Sequence, residues 1–155
     1  MSARKGEMAA LKALQLVEQG AYFNIALAEA LKDLNSAERA AAVAYSKTVL
    51  ENLIPVDWAL SLVTDTRKCG SLIRKILRIG AARMLYLNTP APQAASAAVD
   101  MCKSGPKRAQ AGYVNAVMRA LALKINDIPW PAPEDNSLKS LSLRYSWPEW
   151  LCEKI

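Results

Sequence analysis

Histidine is missing altogether from this 155-residue chain, and its absence removes two large classes of chemistry. Hydrolase triads lose their general base, and a zinc site would have to be assembled from thiols and carboxylates alone. Cysteine is scarce as well. Cys69, Cys102 and Cys152 are odd in number, far apart and in no C-x-x-C pair, which argues against a disulfide framework and for a reducing compartment. The chain has no uncharged apolar run of about 18 residues to cross a bilayer, and its start, MSARKGEMAALKAL, lacks the h-region and cleavage pattern of a signal peptide. No glycine-rich loop follows a strand pattern to hold a nucleotide cofactor. We therefore expect a cytoplasmic protein with neither metal nor cofactor nor catalytic residues in this chain.

Acid is the other scarcity, and it is local. Residues 67 to 124 carry 11 lysines and arginines against one acid, Asp100, a net +10, whereas the remainder of the chain is −4. A patch of one sign on an otherwise acidic chain is the electrostatic footprint of a polyanionic partner. The rest of the composition, 52% hydrophobic and 22% charged, is that of an ordinary globular domain. A chain of this length buries roughly 70% of its unfolded surface and needs no staples.

What is abundant is helical periodicity. Residues 3 to 19 place Met8, Leu11, Leu14, Leu16 and Val17 near one face, with Gly20 positioned to stop the helix. Asn24 is a candidate cap for a second helix to Leu31 or Lys32, and Ser36 for a third to about Leu53. Pro55 breaks the pattern before a short helix over 56–63. Gly70 and Ser71 open the next, whose stripe runs Leu72, Ile73, Ile76, Leu77, Met84 and Leu87 while Arg74, Lys75 and Arg78 point away. Gly80 falls inside that stripe, where its use is to admit another helix closely. Pro92 suits the first turn of a helix to Lys103. The last long helix is read over 106–125, burying Tyr113, Val114, Val117, Met118, Leu121 and Ile125. From Asn126 the chain turns proline-rich, then gives two short helical pieces over 137–144 and 148–155. Trp130, Trp147 and Trp150 should pack this tail onto the bundle, since indoles are costly to leave in water. The chain stops without a closing signal, from which we expect a longer parent protein.

The segments LIRKILRIGAARMLYL, TPAPQAASAAVDMCK and GYVNAVMRAL, in that order and spacing, resemble the helices of a NusB-like domain. The closing SWPEWL resembles the stretch that follows this domain in the RsmB (Sun) class of ribosomal RNA cytosine-C5 methyltransferases. The resemblance implies an all-α bundle of six to seven helices over 1–126. It also implies a linker with short helices over 127–155, leading to a catalytic domain that uses S-adenosylmethionine and lies outside this chain. The implied partners are RNA, small-subunit ribosomal RNA above all, and the linked domain itself. Neither DNA nor a membrane is expected. The cysteines of this chain follow Lys, Met and Leu, not the proline or threonine typical of that enzyme class, and read as packed thiols.

Candidate RNA contacts come from both sources. Arg4 and Lys5 resemble a shortened form of the family's arginine-rich N-terminal segment, or are simply a basic chain end. Arg74 and Arg78 are read on the polar face of their helix. Arg108, Asn115 and Arg119, seven and eleven residues apart, fall on one side of the last long helix with Gly112 near them. Arginine forks onto phosphate, and Asn115 either reads a base edge or satisfies a neighbouring helix end. Tyr113 matches a family aromatic at the RNA site and either stacks on a base or packs in the core. Two further readings stay open: a free-standing antitermination factor of the NusB type, and a structural module whose basic face docks the catalytic domain.

Overall fold

The computed structural model describes residues 4–132 and 134–153. Among them are nine α-helices and no strand: α1 Lys5–Glu18, α2 Phe23–Ala30, α3 Ser36–Glu51, α4 Leu53–Ser61, α5 Ser71–Tyr86, α6 Ala91–Lys103, α7 Ala111–Lys124, α8 Leu138–Tyr145 and α9 Glu149–Cys152. The fold is the all-α, NusB-like bundle that the periodicity and the resemblance lead one to expect.

Helix ends follow local chemistry. Gly20, at φ +109°, closes α1 in a Schellman arrangement: its N–H donates to the Val17 carbonyl and that of Ala21 to Leu16, each at 3.0 Å. The cap of α3 is Asn35, not Ser36. Its side chain accepts from the Glu38 N–H at 2.8 Å while Glu38 accepts from the Asn35 N–H at 3.0 Å, a full capping box. Nor does α2 start from Asn24, because Tyr22 holds the extended cap position. Pro55 does separate α3 from α4, but from inside the first turn of α4. There its missing N–H is one that no helix uses, while an unbroken helix would drive its ring into the Glu51 carbonyl. At the far end, residues 106–125 are not one helix. A 3-10 turn at Arg108–Gln110 precedes α7.

The centre of the bundle is α5, which packs against α1, α3, α4, α6 and α7. Ile73, Ile76, Leu77 and Ile79 are fully or almost fully buried, and they meet Val114, Met118 and Leu121 of α7 in the main core. Gly80 has the use expected of it. A Cβ built there would run into Met118 Sδ and lie 3.6 Å from Ala98 Cβ, so its absence lets α7 and α6 close on α5. A second, smaller core is almost all alanine: Ala9, Ala13, Ala26, Ala30 and Ala42 bring α1, α2 and α3 together.

The expectation that the cations of α5 point away fails for Lys75 and Arg78. Lys75 is 3% exposed. Its ammonium meets Glu18 Oε1 at 2.9 Å and also donates to the Ser71 hydroxyl. Arg78 forks onto Asp57 with two bonds of 2.8 Å. Lys75 in turn holds the Glu18 carboxyl below its ordinary value of 4.5, with Ser71 adding to the effect. A lowered folded-state value means that this stabilisation is complete above the unfolded value and is lost as pH falls through the folded one. Glu18→Gln is therefore expected to lower stability at neutral pH and to converge with the parent as pH drops below 4.5. Urea midpoints across that range would show it.

The tail is attached, though not by all three indoles. Ile128 joins the main core, Trp130 packs on Trp58 with centroids 5.1 Å apart, and Leu143 of α8 is buried. The Ile54 N–H donates to Ser146 Oγ at 3.2 Å. Trp147 rests instead on Tyr145, within the tail, and Trp150 is 62% exposed. No helix among the described residues is long and apolar enough to cross a membrane.

Candidate nucleic-acid interface

Pairing divides the 11 cations of the basic segment into two sets. Arg67 pairs with Asp65, and Arg74 donates to the Thr66 carbonyl at 3.0 Å. Lys75 and Arg78 are engaged as described, and Arg83 is buried against Glu7. The other six, Lys68, Lys103, Lys107, Arg108, Arg119 and Lys124, are absent from the ion pairs of the described residues and, Lys68 included, lie at the surface. Three of these, Lys103, Lys107 and Arg108, lie where α6 ends and the chain turns through the 3-10 segment, and Arg119 stands two turns into α7 on the groove that Lys103 also lines. The surface of positive potential is therefore smaller than the sequence count suggests. It also lies along α6, the turn and α7 instead of along α5.

Two recesses flank the first turn of α7. The larger, about 880 Å³, lies between α6 and α7 and is lined by Ser96, Asp100, Lys103, Gly112, Asn115 and Arg119 over a bed of small residues such as Ala95 and Ala122. The smaller, about 440 Å³, contains Tyr113 together with Thr64, Lys68 and Gln110. Asn115, Arg119 and Gly112 thus share one groove, as their spacing on a helix requires. Arg108 does not line it, because the 3-10 turn takes that residue out of the α7 register. Tyr113 sits on the other flank. It is 36% exposed, outside the buried stripe, and its hydroxyl shares a 2.6 Å hydrogen bond with Thr64 Oγ1.

The N-terminal cations have different fates. Lys5 is exposed and, among the described residues, unpaired, whereas Arg4, outside the groove, bonds two of the residues that line it. Arg4 Nε donates to Asp100 Oδ2 at 3.0 Å and Nη2 reaches Ser96 Oγ at 3.5 Å. Its Nη1 lies 3.6 Å from Glu7 Oε1. That same Glu7 oxygen takes Arg83 Nη1 at 3.1 Å in the buried interior, and the Arg83 guanidinium stands 4.3 Å over the Tyr45 ring. A chain of charges therefore runs from the core of α5 through α1 to Asp100 on α6. Sequence reasoning missed it, along with the positions of Lys103 and Lys107, exposed and, among the described residues, unpaired. The last two were legible as cations on either side of Ser104-Gly105-Pro106.

None of the thiols is set up as a nucleophile. Cys102 is buried and donates to the Lys107 carbonyl at 3.2 Å, so that it ties the α6–α7 turn together, and Cys69 donates to the Thr66 carbonyl at 3.1 Å. Burial pushes both thiols up from their ordinary range, opposite to the shift an attacking cysteine needs. Cys152 is buried beneath Trp147. Among the described residues, the groove brings together cations without acidic partners, one amide and one carboxylate.

A comparison with curated proteins gives no match. Among protein families, the NusB family model matches residues 1–123, which takes in α1 to α6 and nearly all of α7. Because that match spans most of the chain and coincides with the bundle just described, the chain belongs to the NusB family.

Proposed function

We propose that this chain is an RNA-binding domain that positions small-subunit ribosomal RNA for a linked cytosine-C5 methyltransferase domain. The observation that carries the RNA-binding part is that Lys103, Lys107, Arg108 and Arg119, exposed and unpaired among the described residues, follow one another from the end of α6 to the middle of α7. Exposed cations without acidic partners, set along one groove and the turn beside it, are suited to phosphate. Asn115 shares the groove with Lys103 and Arg119, and Tyr113 stands on the opposite flank of α7, each placed to meet a base. Family membership supports the same reading, since NusB proteins generally bind RNA.

The link to a methyltransferase is supported by the Trp147-Pro148-Glu149-Trp150-Leu151 resemblance, and by the exposure of Trp150 within that stretch. In this reading S-adenosylmethionine and the methyl transfer both belong to the linked domain.

The free-standing antitermination reading has one observation in its favour, a family match that covers the bundle and stops at residue 123. Both readings give the isolated chain the same properties: it binds single-stranded RNA in a salt-sensitive manner and transfers no methyl group. Fluorescence anisotropy with a labelled RNA oligomer, beside an assay with labelled S-adenosylmethionine, checks this. Methyl transfer by this chain alone would overturn the division of labour.

A further inference from the structure

Phosphate binding gives no reason for Asp100. It is the one acid in a segment of 11 cations, it lines the α6–α7 groove beside Lys103 and Arg119, and a carboxylate there repels the phosphates its neighbours attract. The chain nevertheless holds it firmly. Arg4 Nε takes one carboxylate oxygen at 3.0 Å, and Arg4 is itself placed by Glu7, which Arg83 anchors from the core. The Asp100 side chain remains 37% exposed. Facing the same groove, half-buried Asn115 has an amide with no hydrogen-bond partner among the described residues. Around these polar groups the lining is apolar, with small Ala95, Ala111, Gly112 and Ala122 beside the larger Val99 and Met118, which leaves room for a planar ring.

We infer that this groove takes an unpaired RNA base carrying an exocyclic amine, read by Asp100 and Asn115, while Lys103 and Arg119 hold the adjoining phosphates. The inference rests on the RNA-binding reading above and names what that site selects. An ionised carboxylate only accepts hydrogen bonds, so it pairs with the amine of cytosine and is repelled by the carbonyl oxygen that uracil carries at the same place. The Asn115 amide, with donors and an acceptor, complements the neighbouring positions of the base edge. Arg4 offsets the Asp100 charge toward phosphate without occupying both of its oxygens. Splayed-out single-stranded bases are read at their Watson–Crick edges in this manner.

Oligo(C) and oligo(U) of equal length test it, because they share the same phosphates and a pyrimidine ring. In anisotropy titrations at one low salt concentration the parent chain should favour oligo(C) by about tenfold, the order of one good base contact. Asp100→Asn should bring that ratio toward one and tighten oligo(U) binding, since a repelling charge is gone. Gly112→Leu is the second arm. No atom lies within 4 Å of a Cβ built at Gly112, and its φ is not positive, so a side chain there projects into the groove without strain. Leucine is also the better helix former. The variant should hold or raise its melting temperature and lose the preference for oligo(C). Equal affinity of the parent for the two oligomers, or a ratio that survives both substitutions, overturns the base pocket alone. Absence of salt-sensitive binding to either oligomer overturns the RNA-binding reading with it.

Discussion

Glu7→Leu is expected to destabilise the domain by about 3–5 kcal/mol, the usual cost of leaving a buried charge without its partner. Glu7 is 5% exposed and Arg83 4%, and the guanidinium already has one unsatisfied nitrogen, Nε. Once the carboxylate is removed, Arg83 retains only the face of Tyr45, and Arg4 loses one of its two acidic contacts. The double variant Glu7→Leu, Arg83→Met should recover most of the loss. Burying the pair costs nearly as much desolvation as the attraction returns, and apolar replacements of similar volume avoid both terms. Urea unfolding of the parent and the two variants at an unchanged m-value reads the effect. A single variant as stable as the parent would show that the buried pair does not hold α1 to α5. Because the same Glu7 positions Arg4 against Asp100, the destabilised variant should also discriminate less between oligo(C) and oligo(U).

How far the sequence foretells this molecule depends on whether the cause is local. The spacing of Leu11 and Leu14, the stripe on α5 and the run from Val114 to Leu121 each need only a 3.6-residue period. All three are legible, as are the stop at Gly20 and the close approach at Gly80. Short-range ambiguities are resolved by geometry that periodicity does not carry. Asn35 and Ser36 are both good caps, and Glu38 decides between them because it stands three residues after Asn35 and two after Ser36. The 3-10 turn at Arg108–Gln110 shifts Arg108 out of line with Asn115 for a similar reason. Long-range pairing leaves no trace in one dimension. Glu7 and Arg83 are 76 positions apart, and nothing in either neighbourhood marks them as buried. Arg78 reads as a surface cation until Asp57, 21 residues earlier, is seen beside it. The candidate site is therefore half legible: Asn115, Arg119 and Gly112 come together as the helix period requires, whereas Arg74 and Arg78 are engaged elsewhere and Lys103 and Lys107 take their place.

That exchange of residues makes RNA binding by this face measurable. Replacing Lys103, Lys107, Arg108 and Arg119 together by glutamine should weaken single-stranded RNA binding on the order of a hundredfold at ~0.1 M salt. It should also flatten the plot of log affinity against log salt by up to about three, at roughly 0.7 per phosphate contact removed. The melting temperature should hold, since none of the four belongs to an ion pair among the described residues. Arg78→Gln should do the reverse, lowering stability through the loss of its fork onto Asp57 and leaving the salt slope unchanged. A module that docks an acidic protein domain predicts otherwise, with weak RNA binding that is insensitive to salt in every variant. The decisive measurement is RNA affinity across a salt series for the parent chain and the four-residue variant. A steep slope in the parent that collapses in the variant is the expected result, and equal slopes in the two proteins would contradict the account.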